Sequence, residues 1–129
     1  MKLLKTIQLK CGQTYLMRTD DGNILEVGDV FMSVEKEVGT RPYHFEDFDN
    51  PSDLNKRVMT VCVMSGCCQR CKFCHCGKTR MKKTLNKWEI VGQVEFMIEQ
   101  GILNGRHPDP KEAKEFRILF TRMGEPFMN

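Results

Sequence analysis

The chain has 129 residues, of which 40% are hydrophobic and 29% are charged, and its mean hydropathy is -0.43. This length and composition indicate one globular domain and exclude an intrinsically disordered chain. No apolar run reaches the roughly 18 residues that a membrane span needs, and Lys5 and Gln8 interrupt the stretch where a secretory signal would be apolar. We therefore expect a cytoplasmic protein without a membrane partner.

The formal net charge of +3 is unevenly distributed along the chain. Residues 1–64 carry 8 basic and 10 acidic side chains, whereas residues 65–129 carry 12 and 7. Seven basic residues and no acidic one lie between Ser65 and Trp88. Such a segment attracts a phosphate or another anion, although a solvated basic surface is the commoner explanation.

The first 35 residues are typical of antiparallel β structure. Strands are expected over residues 14–18, 23–27 and 30–34, because turn signals separate these runs at Asp20-Asp21-Gly22 and at Gly28-Asp29. Residues 39–56 mix glycine, proline and asparagine with acidic side chains, which predicts an irregular acidic loop.

Residues 58–63 form a nearly continuous apolar run, which predicts a strand buried on both faces in a parallel sheet. A cysteine-rich loop is expected to follow as far as Lys83. Asn86 and Glu89 then have the spacing of a helix capping box. The helix should end near Gly101, and its apolar face should contain Ile90, Val91, Val94, Met97 and Ile98.

A second buried strand is expected over residues 117–121, followed by the turn Gly124-Glu125-Pro126. Strand, cysteine loop, helix and strand make one βαβ unit. Ligand sites of parallel strands lie at their carboxyl ends. The cysteine loop and the Gly-Glu-Pro turn both leave such ends, so we expect them to lie side by side.

Seven cysteines are the unusual feature of the composition. Cys11 stands apart, whereas the other six fall within 15 residues: Cys62, Cys67, Cys68, Cys71, Cys74 and Cys76. A secreted disulfide scaffold usually spreads an even number of cysteines along the chain. Tight clustering in a reducing compartment indicates metal or redox chemistry instead.

Cys67, Cys71 and Cys74 place three thiols within eight residues, so that one loop can hold an inorganic centre. A structural zinc site usually takes four ligands from two separate segments, and no cysteine follows Cys76. An iron–sulfur cube with three protein ligands leaves one iron open. Zinc remains the alternative, with Cys76 or His75 as the fourth ligand.

The spacing Cys67-x3-Cys71-x2-Cys74, with Phe73 before the last cysteine, resembles the signature of radical S-adenosylmethionine (SAM) enzymes. More narrowly, the chain resembles the methyltransferases that modify carbon 2 of adenine in 23S ribosomal RNA and transfer RNA, and their carbon-8 relatives. The matching segments occur in the family's order from about residue 13 to the last residue: 15–26, 60–63, the three cysteines, 89–94 and 123–129.

The resemblance implies an α/β fold, in which an N-terminal antiparallel hairpin region precedes the first βαβ part of a radical SAM partial (β/α)6 barrel. Residues 1–56 would contain the hairpin region and the acidic loop, and residues 57–129 would form the partial radical SAM core. Only about two of the barrel's strands are represented. We therefore expect a truncated barrel: a natural fragment, one half of a split protein or a degenerate copy.

The resemblance also implies a radical SAM methyltransferase-like enzyme with two cofactors. Cys67, Cys71 and Cys74 would hold a 4Fe–4S cluster, which reductively cleaves SAM for RNA base methylation. The SAM-binding residues implied by the family are Phe73, which would help seat the adenine, Gly124, which would allow close backbone approach, Glu125, which would bind the ammonium group, and Pro126 of the same turn.

The implied partner is RNA, either ribosomal or transfer RNA, contacted by Lys78, Arg80, Lys82 and Lys83. An electron donor such as flavodoxin or ferredoxin would reduce the cluster, and a second polypeptide would complete the barrel. Cys62 occupies the strand where the family carries a catalytic cysteine that resolves a covalent RNA intermediate. It stands five residues before Cys67, two fewer than in the family.

Arg122 is a further departure, since the family has a glycine two residues before Gly124. The substitution places a bulky cation near the expected SAM site. Two other functions stay open: a radical SAM enzyme half with another substrate, and a non-catalytic fragment that binds zinc or an iron–sulfur cluster.

Overall fold

The computed structural model describes residues 1–9, 11–32, 56–103 and 115–129. These ranges contain a five-stranded sheet, a two-stranded sheet and one α-helix. The elements in chain order are β1 (Lys2–Leu9), β2 (Gly12–Arg18), β3 (Ile24–Met32), β4 (Lys56–Thr60), β5 (Met64–Ser65), β6 (Lys83–Thr84), α1 (Lys87–Leu103) and β7 (Glu115–Leu119). No helix within these ranges is long and apolar enough to cross a membrane.

The large sheet has the strand order β1-β2-β3-β4-β7. The pairs β1–β2, β2–β3 and β3–β4 are antiparallel. The pair β4–β7 is parallel and runs from Lys56–Glu115 to Thr60–Leu119. The predicted βαβ unit is therefore present. The expectation of a parallel sheet around β4 is wrong on one side, because β3 pairs with β4 in the antiparallel sense.

Strand β3 differs from its prediction because it continues through the expected turn at Gly28-Asp29. Gly28 pairs with Thr14 on one side and with Thr60 on the other, so ladders on both sides keep this stretch extended. Residues 33–55 lie outside the described residues, and with them the end of the predicted third strand and most of the acidic loop. The predicted boundary between residues 56 and 57 falls within β4 and stays a prediction.

The predicted start of the helix is confirmed by its capping box. The Asn86 side-chain oxygen accepts hydrogen bonds from the backbone N–H groups of Trp88 and Glu89, at 2.9 and 3.0 Å. The Glu89 carboxylate accepts one from the Asn86 N–H, at 3.0 Å. These bonds satisfy N–H groups that have no partner inside the helix.

Helix α1 packs against one face of the large sheet and forms the main core with it. The buried members of this core are Tyr15, Met17, Val27, Met59, Val61 and Met97. Ile90, Val94 and Ile98 pack against it as predicted, whereas Val91 is 44% exposed because it lies beside the packed face. The helix ends at Leu103 and so extends slightly beyond the predicted end.

Strand β7 was expected to be buried, and the structure corrects this. Ile118, Leu119 and Phe120 are between 38 and 46% exposed, because β7 is an edge strand and no described element covers its outer side. The apolar sequence of β7 would be buried only if another element packed against its outer edge.

A buried ion pair joins β3, β4 and α1. The Arg57 guanidinium donates to the two Asp29 carboxylate oxygens, at 2.9 and 2.7 Å, and to the Met97 carbonyl of α1, at 2.9 Å. Phe31 lies under the guanidinium, with its ring centroid 5.4 Å away. Gly101 makes room for this group, because a Cβ at that position would lie 2.7 Å from Arg57 Nη2.

Lys83 forms a second link, between the β2–β3 turn and the start of α1. Its ammonium lies 2.6 Å from an Asp21 carboxylate oxygen and 2.6 Å from a Glu89 carboxylate oxygen. The hydrogen bond from Lys83 is the main cause that lowers the pKa of Asp21, and the same bond raises the pKa of Lys83. The base of the cysteine loop is thereby attached to the hairpin and the helix.

Replacement of Asp29 by Asn should destabilise the fold by about 3–5 kcal/mol, because Arg57 would remain buried without its counterion. Replacing both partners, as Asp29→Leu with Arg57→Met, should cost less than Asp29→Asn alone, since no uncompensated charge is left. The measurement is urea unfolding. Asp20→Asn, at an exposed carboxylate, is the control. Equal stability of Asp29→Asn and Asp20→Asn would contradict the role of the buried pair.

Replacement of Lys83 by Met should lower the melting temperature, because both ion pairs are lost. The difference from the parent protein should shrink at about 1 M salt, where the Debye length is about 3 Å. Since the folded-state pKa of Asp21 is lowered, its contribution is present above the ordinary carboxyl pKa of about 4 and is lost as the pH falls further.

Lys87→Met removes the same charge from the same region, but Lys87 lies over the Trp88 ring at 4.9 Å and does not join the hairpin. This variant should melt close to the parent protein. A Lys83→Met difference that is the same at every salt concentration and pH would show that the ion pairs are not its cause.

Candidate functional site

The carboxyl ends of β4 and β7 lie side by side, as the sequence predicted. The chain leaving β4 bonds to the chain leaving β7: Val61 N–H to the Leu119 carbonyl at 2.9 Å, and Val63 N–H to the Met123 carbonyl at 3.0 Å. Gly124 has φ +106°, and a Cβ there would lie 2.7 Å from the Val63 side chain. Only glycine therefore allows the two segments to approach this closely.

A short two-stranded sheet closes the cysteine loop at its base. Strands β5 and β6 pair Ser65 with Lys83, and the Lys82 N–H donates to the Ser65 carbonyl at 2.8 Å. Gly66 has φ +83°, and a Cβ there would lie 2.6 Å from the Arg80 carbonyl oxygen. The two ends of the loop are therefore bonded to each other, which holds its cysteines beside the large sheet.

Successive tight turns arrange the cysteines within the loop. The Cys74 N–H donates to the Cys71 carbonyl at 3.1 Å, and a 3-10 helix over His75–Lys78 follows. Cys67 and Cys74 are partly buried, and Cys71 is exposed. All three are free thiols. Within the described residues, no three His, Cys, Asp or Glu side chains converge closely enough to hold a metal ion.

Cys76 is a neighbour of two of the predicted ligands. Burial is the main cause that raises the pKa of the Cys76 thiol, and the nearby Cys74 and Cys67 thiols raise it further. The Cys76 thiol thus lies near those of Cys67 and Cys74, but the described residues contain no converged set of three, so the ligand set Cys67, Cys71 and Cys74 stays a prediction. Thiolates are soft ligands, so the donor set fits an iron–sulfur cluster or zinc.

Cys62 is fully buried. It packs with Leu25 and Leu85, and its thiol donates to the Glu26 carbonyl at 3.0 Å. Gln93 of α1 bonds both its backbone N–H and its carbonyl, at 2.8 and 3.0 Å. Burial raises the pKa of the Cys62 thiol, which favours the neutral form. A catalytic role for Cys62 stays a prediction.

The predicted SAM-binding residues are only partly assembled. Glu125 follows Gly124 beside the β4 end, and its carboxylate accepts a hydrogen bond from the Phe127 N–H at 3.2 Å, which caps a 3-10 helix over Pro126–Met128. Phe73, at the tip of the cysteine loop, is 93% exposed and contributes nothing to the cavity described below.

A cavity of about 520 Å³ lies between the cysteine loop, the β2–β3 hairpin and the end of β7. Cys74 and Cys76 line it on one side, and the apolar side chains of Leu16, Ile24 and Met123 line it on another. Its charged lining consists of Glu26, Arg80, Lys82 and Arg122.

The four predicted RNA-binding cations are thus divided by the structure. Arg80 and Lys82 line the cavity, and Lys78 is exposed on the loop outside it. Lys83 instead forms ion pairs with the carboxylates of Asp21 and Glu89. The basic segment of the sequence predicted all four residues as one RNA-binding set, because a sequence pattern cannot show which cations have a counterion.

Arg122 extends across the sheet from the end of β7. Its guanidinium donates to the Thr60 hydroxyl at 2.9 Å and lies 2.5 Å from the Glu26 carboxylate. Gly28 lies directly beneath it, and a Cβ there would be 2.3 Å from Arg122 Nη2. Sequence reasoning identified Arg122 but not its partner Glu26, since 96 residues separate the two.

No protein-family model matches the chain. Curated proteins similar to it are RNA methyltransferases. The probable dual-specificity RNA methyltransferase RlmN of Heliobacterium modesticaldum is 32% identical over 119 residues, which are 91% of this chain and 25% of that protein. The dual-specificity RNA methyltransferase RlmN of Rhizorhabdus wittichii is 38% identical over 72 residues, 54% of this chain and 17% of that protein.

A crystal structure of a radical SAM methyltransferase from Sphaerobacter thermophilus has a similar fold, with a TM-score of 0.70 and 21% identity. The similarity covers 99% of this chain and 30% of that one. The chain spans a quarter or less of the length of the two curated relatives. The chain is thus similar in sequence to one part of the RlmN RNA methyltransferases, and its fold is similar to one part of a radical SAM methyltransferase.

Proposed function

We propose that this chain is the cluster-binding part of a radical SAM enzyme that methylates an adenine base in ribosomal or transfer RNA. One observation carries the proposal: a loop of free thiols and a Gly-Glu-Pro turn lie together at the carboxyl ends of two parallel strands. In open α/β sheets, ligands bind at this position. The similarity to RNA methyltransferases supports RNA as the substrate class.

Cys67, Cys71 and Cys74 would hold a 4Fe–4S cluster, since three thiolates of one loop suit such a centre. When bound, the cluster supplies the electron for reductive cleavage of SAM. The chain's own residues would position SAM: Glu125 would accept a charge-assisted hydrogen bond from its ammonium group. Gly124 and Pro126 would hold the turn close to the cluster, and Phe73 would cover the adenine.

The remaining parts of such an enzyme would come from polypeptide outside these 129 residues, because the matched segments make up only 25% and 17% of the two curated relatives. A second polypeptide that completes the barrel is one source. A flavodoxin or ferredoxin would supply electrons. We place the protein in the cytoplasm, where reducing conditions keep its seven free cysteines reduced.

A non-catalytic zinc site is the second candidate, and the position of Cys76 favours it. The Cys76 thiol lies near those of Cys67 and Cys74, so these three could join Cys71 as four thiolate ligands of zinc. The two candidates predict different metals and different effects of removing Cys76.

Anaerobic reconstitution of the 129-residue chain with iron and sulfide should load about four irons, as expected of a cubane cluster. Cys67→Ala, Cys71→Ala and Cys74→Ala should each abolish the broad visible absorbance, because each removes a ligand. Cys76→Ala and Cys11→Ala, the controls, should retain it. One zinc per chain, lost in Cys76→Ala, together with no iron–sulfur absorbance would establish the zinc candidate instead.

The reconstituted chain alone should not methylate ribosomal RNA when SAM and a reductant are added. The physical reason is that a site without the remaining parts of the enzyme stays open to water and cannot shield a radical. Mass spectrometry of RNA nucleosides after anaerobic incubation is the measurement. Repeated turnover to methyladenosine would show that this part of the enzyme suffices, and would contradict the need for further polypeptide.

A further inference from the structure

We propose that the cavity beside the cysteine loop binds the phosphate group of one RNA nucleotide, with Arg122 as its fixed anion contact and Arg80 and Lys82 at its side. The choice of RNA rests on the proposed function. The anion site itself rests only on the contacts and charges of the described residues.

Arg122 is held in place before any ligand arrives. Thr60 of β4 and Glu26 of β3 both bond its guanidinium, and the missing Cβ of Gly28 provides the space that it occupies. The Thr14 hydroxyl accepts a third, longer hydrogen bond from Arg122 Nη2, at 3.5 Å. A guanidinium has five N–H donors, so these three bonds leave two donors for a ligand. The side chain keeps 28% of its surface exposed and lines the cavity. A fixed donor loses little conformational entropy on binding.

The charges around the cavity favour an anion. Glu26 is the one carboxylate among its lining residues, and Arg122 compensates it at 2.5 Å. Arg80 and Lys82 form no ion pair with any described residue, so their two charges remain for a ligand. Planar guanidinium groups bind phosphate oxygens in pairs, which makes arginine a suitable phosphate contact.

The size and the apolar side of the cavity fit a nucleotide better than an isolated ion. Its volume of about 520 Å³ is in the range of sites for small organic ligands. Leu16, Ile24 and Met123 offer an apolar wall to a base or ribose. SAM carries two cationic groups and one carboxylate, so the net positive charge of this lining favours a nucleotide phosphate over SAM. A nucleotide phosphate is therefore the ligand we assign to this cavity.

The test is equilibrium binding of adenosine 5′-monophosphate, of adenosine and of a short single-stranded RNA to the 129-residue protein, kept reduced and free of metal. The monophosphate should bind about tenfold more tightly than adenosine, the usual scale of one charge-assisted hydrogen bond. Arg122→Met and Lys82→Met should each weaken monophosphate and RNA binding by about tenfold. Glu26→Gln should strengthen both by about threefold, because a repulsive charge is removed.

Lys5→Met is the matched control, since it removes one exposed positive charge from β1, at the far edge of the sheet. It should bind like the parent protein. Circular dichroism checks that each variant is folded. If Arg122→Met does not fold, Lys82→Met and the opposite effect of Glu26→Gln decide the question.

Equal binding of adenosine and its monophosphate would overturn the proposal, and so would equal losses in Lys5→Met and Lys82→Met. Stronger binding of SAM than of the monophosphate would also overturn it, by assigning the cavity to the cofactor. Because no cluster or turnover is involved, the result is independent of the proposed enzyme activity. Nucleotide binding in a protein that loads zinc would leave the anion site standing and reject the radical SAM function.

Discussion

The buried guanidinium of Arg57 is the interaction on which the positions of both site loops depend. It joins Asp29 of β3 and the Met97 carbonyl of α1 to the strand β4. Strand β4 pairs with β3 on one side and with β7 on the other. The cysteine loop leaves β4, and the Gly-Glu-Pro turn leaves β7. One ion pair therefore fixes the hairpin, the helix and the shared strand from which the site is built.

Local features of the sequence predicted the local features of the structure well. Asn86 and Glu89 predict the start of the helix, because a capping box involves neighbours only three residues apart. The Gly124 turn and the cysteine loop were placed together correctly, since parallel strands in a βαβ unit present the same end. The predicted turn at Gly28-Asp29 was wrong because its alternative depends on long-range partners: Thr60 pairs with Gly28, and Arg57 bonds Asp29. The local sequence around Gly28 contains no information about either partner.

The same limit explains what sequence reasoning missed in the site. Lys83 and Lys82 are adjacent in a basic segment, yet only Lys83 reaches the carboxylates of Asp21 and Glu89. Arg122 departs from the family pattern, but the structure accommodates it through Gly28 and Glu26, which are far from it in sequence. Neither contact follows from a spacing rule, because each joins side chains of different elements that only the folded chain brings together. The proximity of the Cys76 thiol to those of Cys67 and Cys74 likewise depends on the folded loop.

The proposed function requires the cysteine loop to hold a cluster with one iron left open for SAM. Electron paramagnetic resonance of the reduced, reconstituted chain tests it most directly, because a ligand that joins the open iron changes the signal of the cluster. We expect an iron–sulfur signal that shifts when SAM is added, and a loss of both signal and shift in Cys71→Ala. A cluster signal that SAM leaves unchanged, or a protein that binds only zinc, would contradict it.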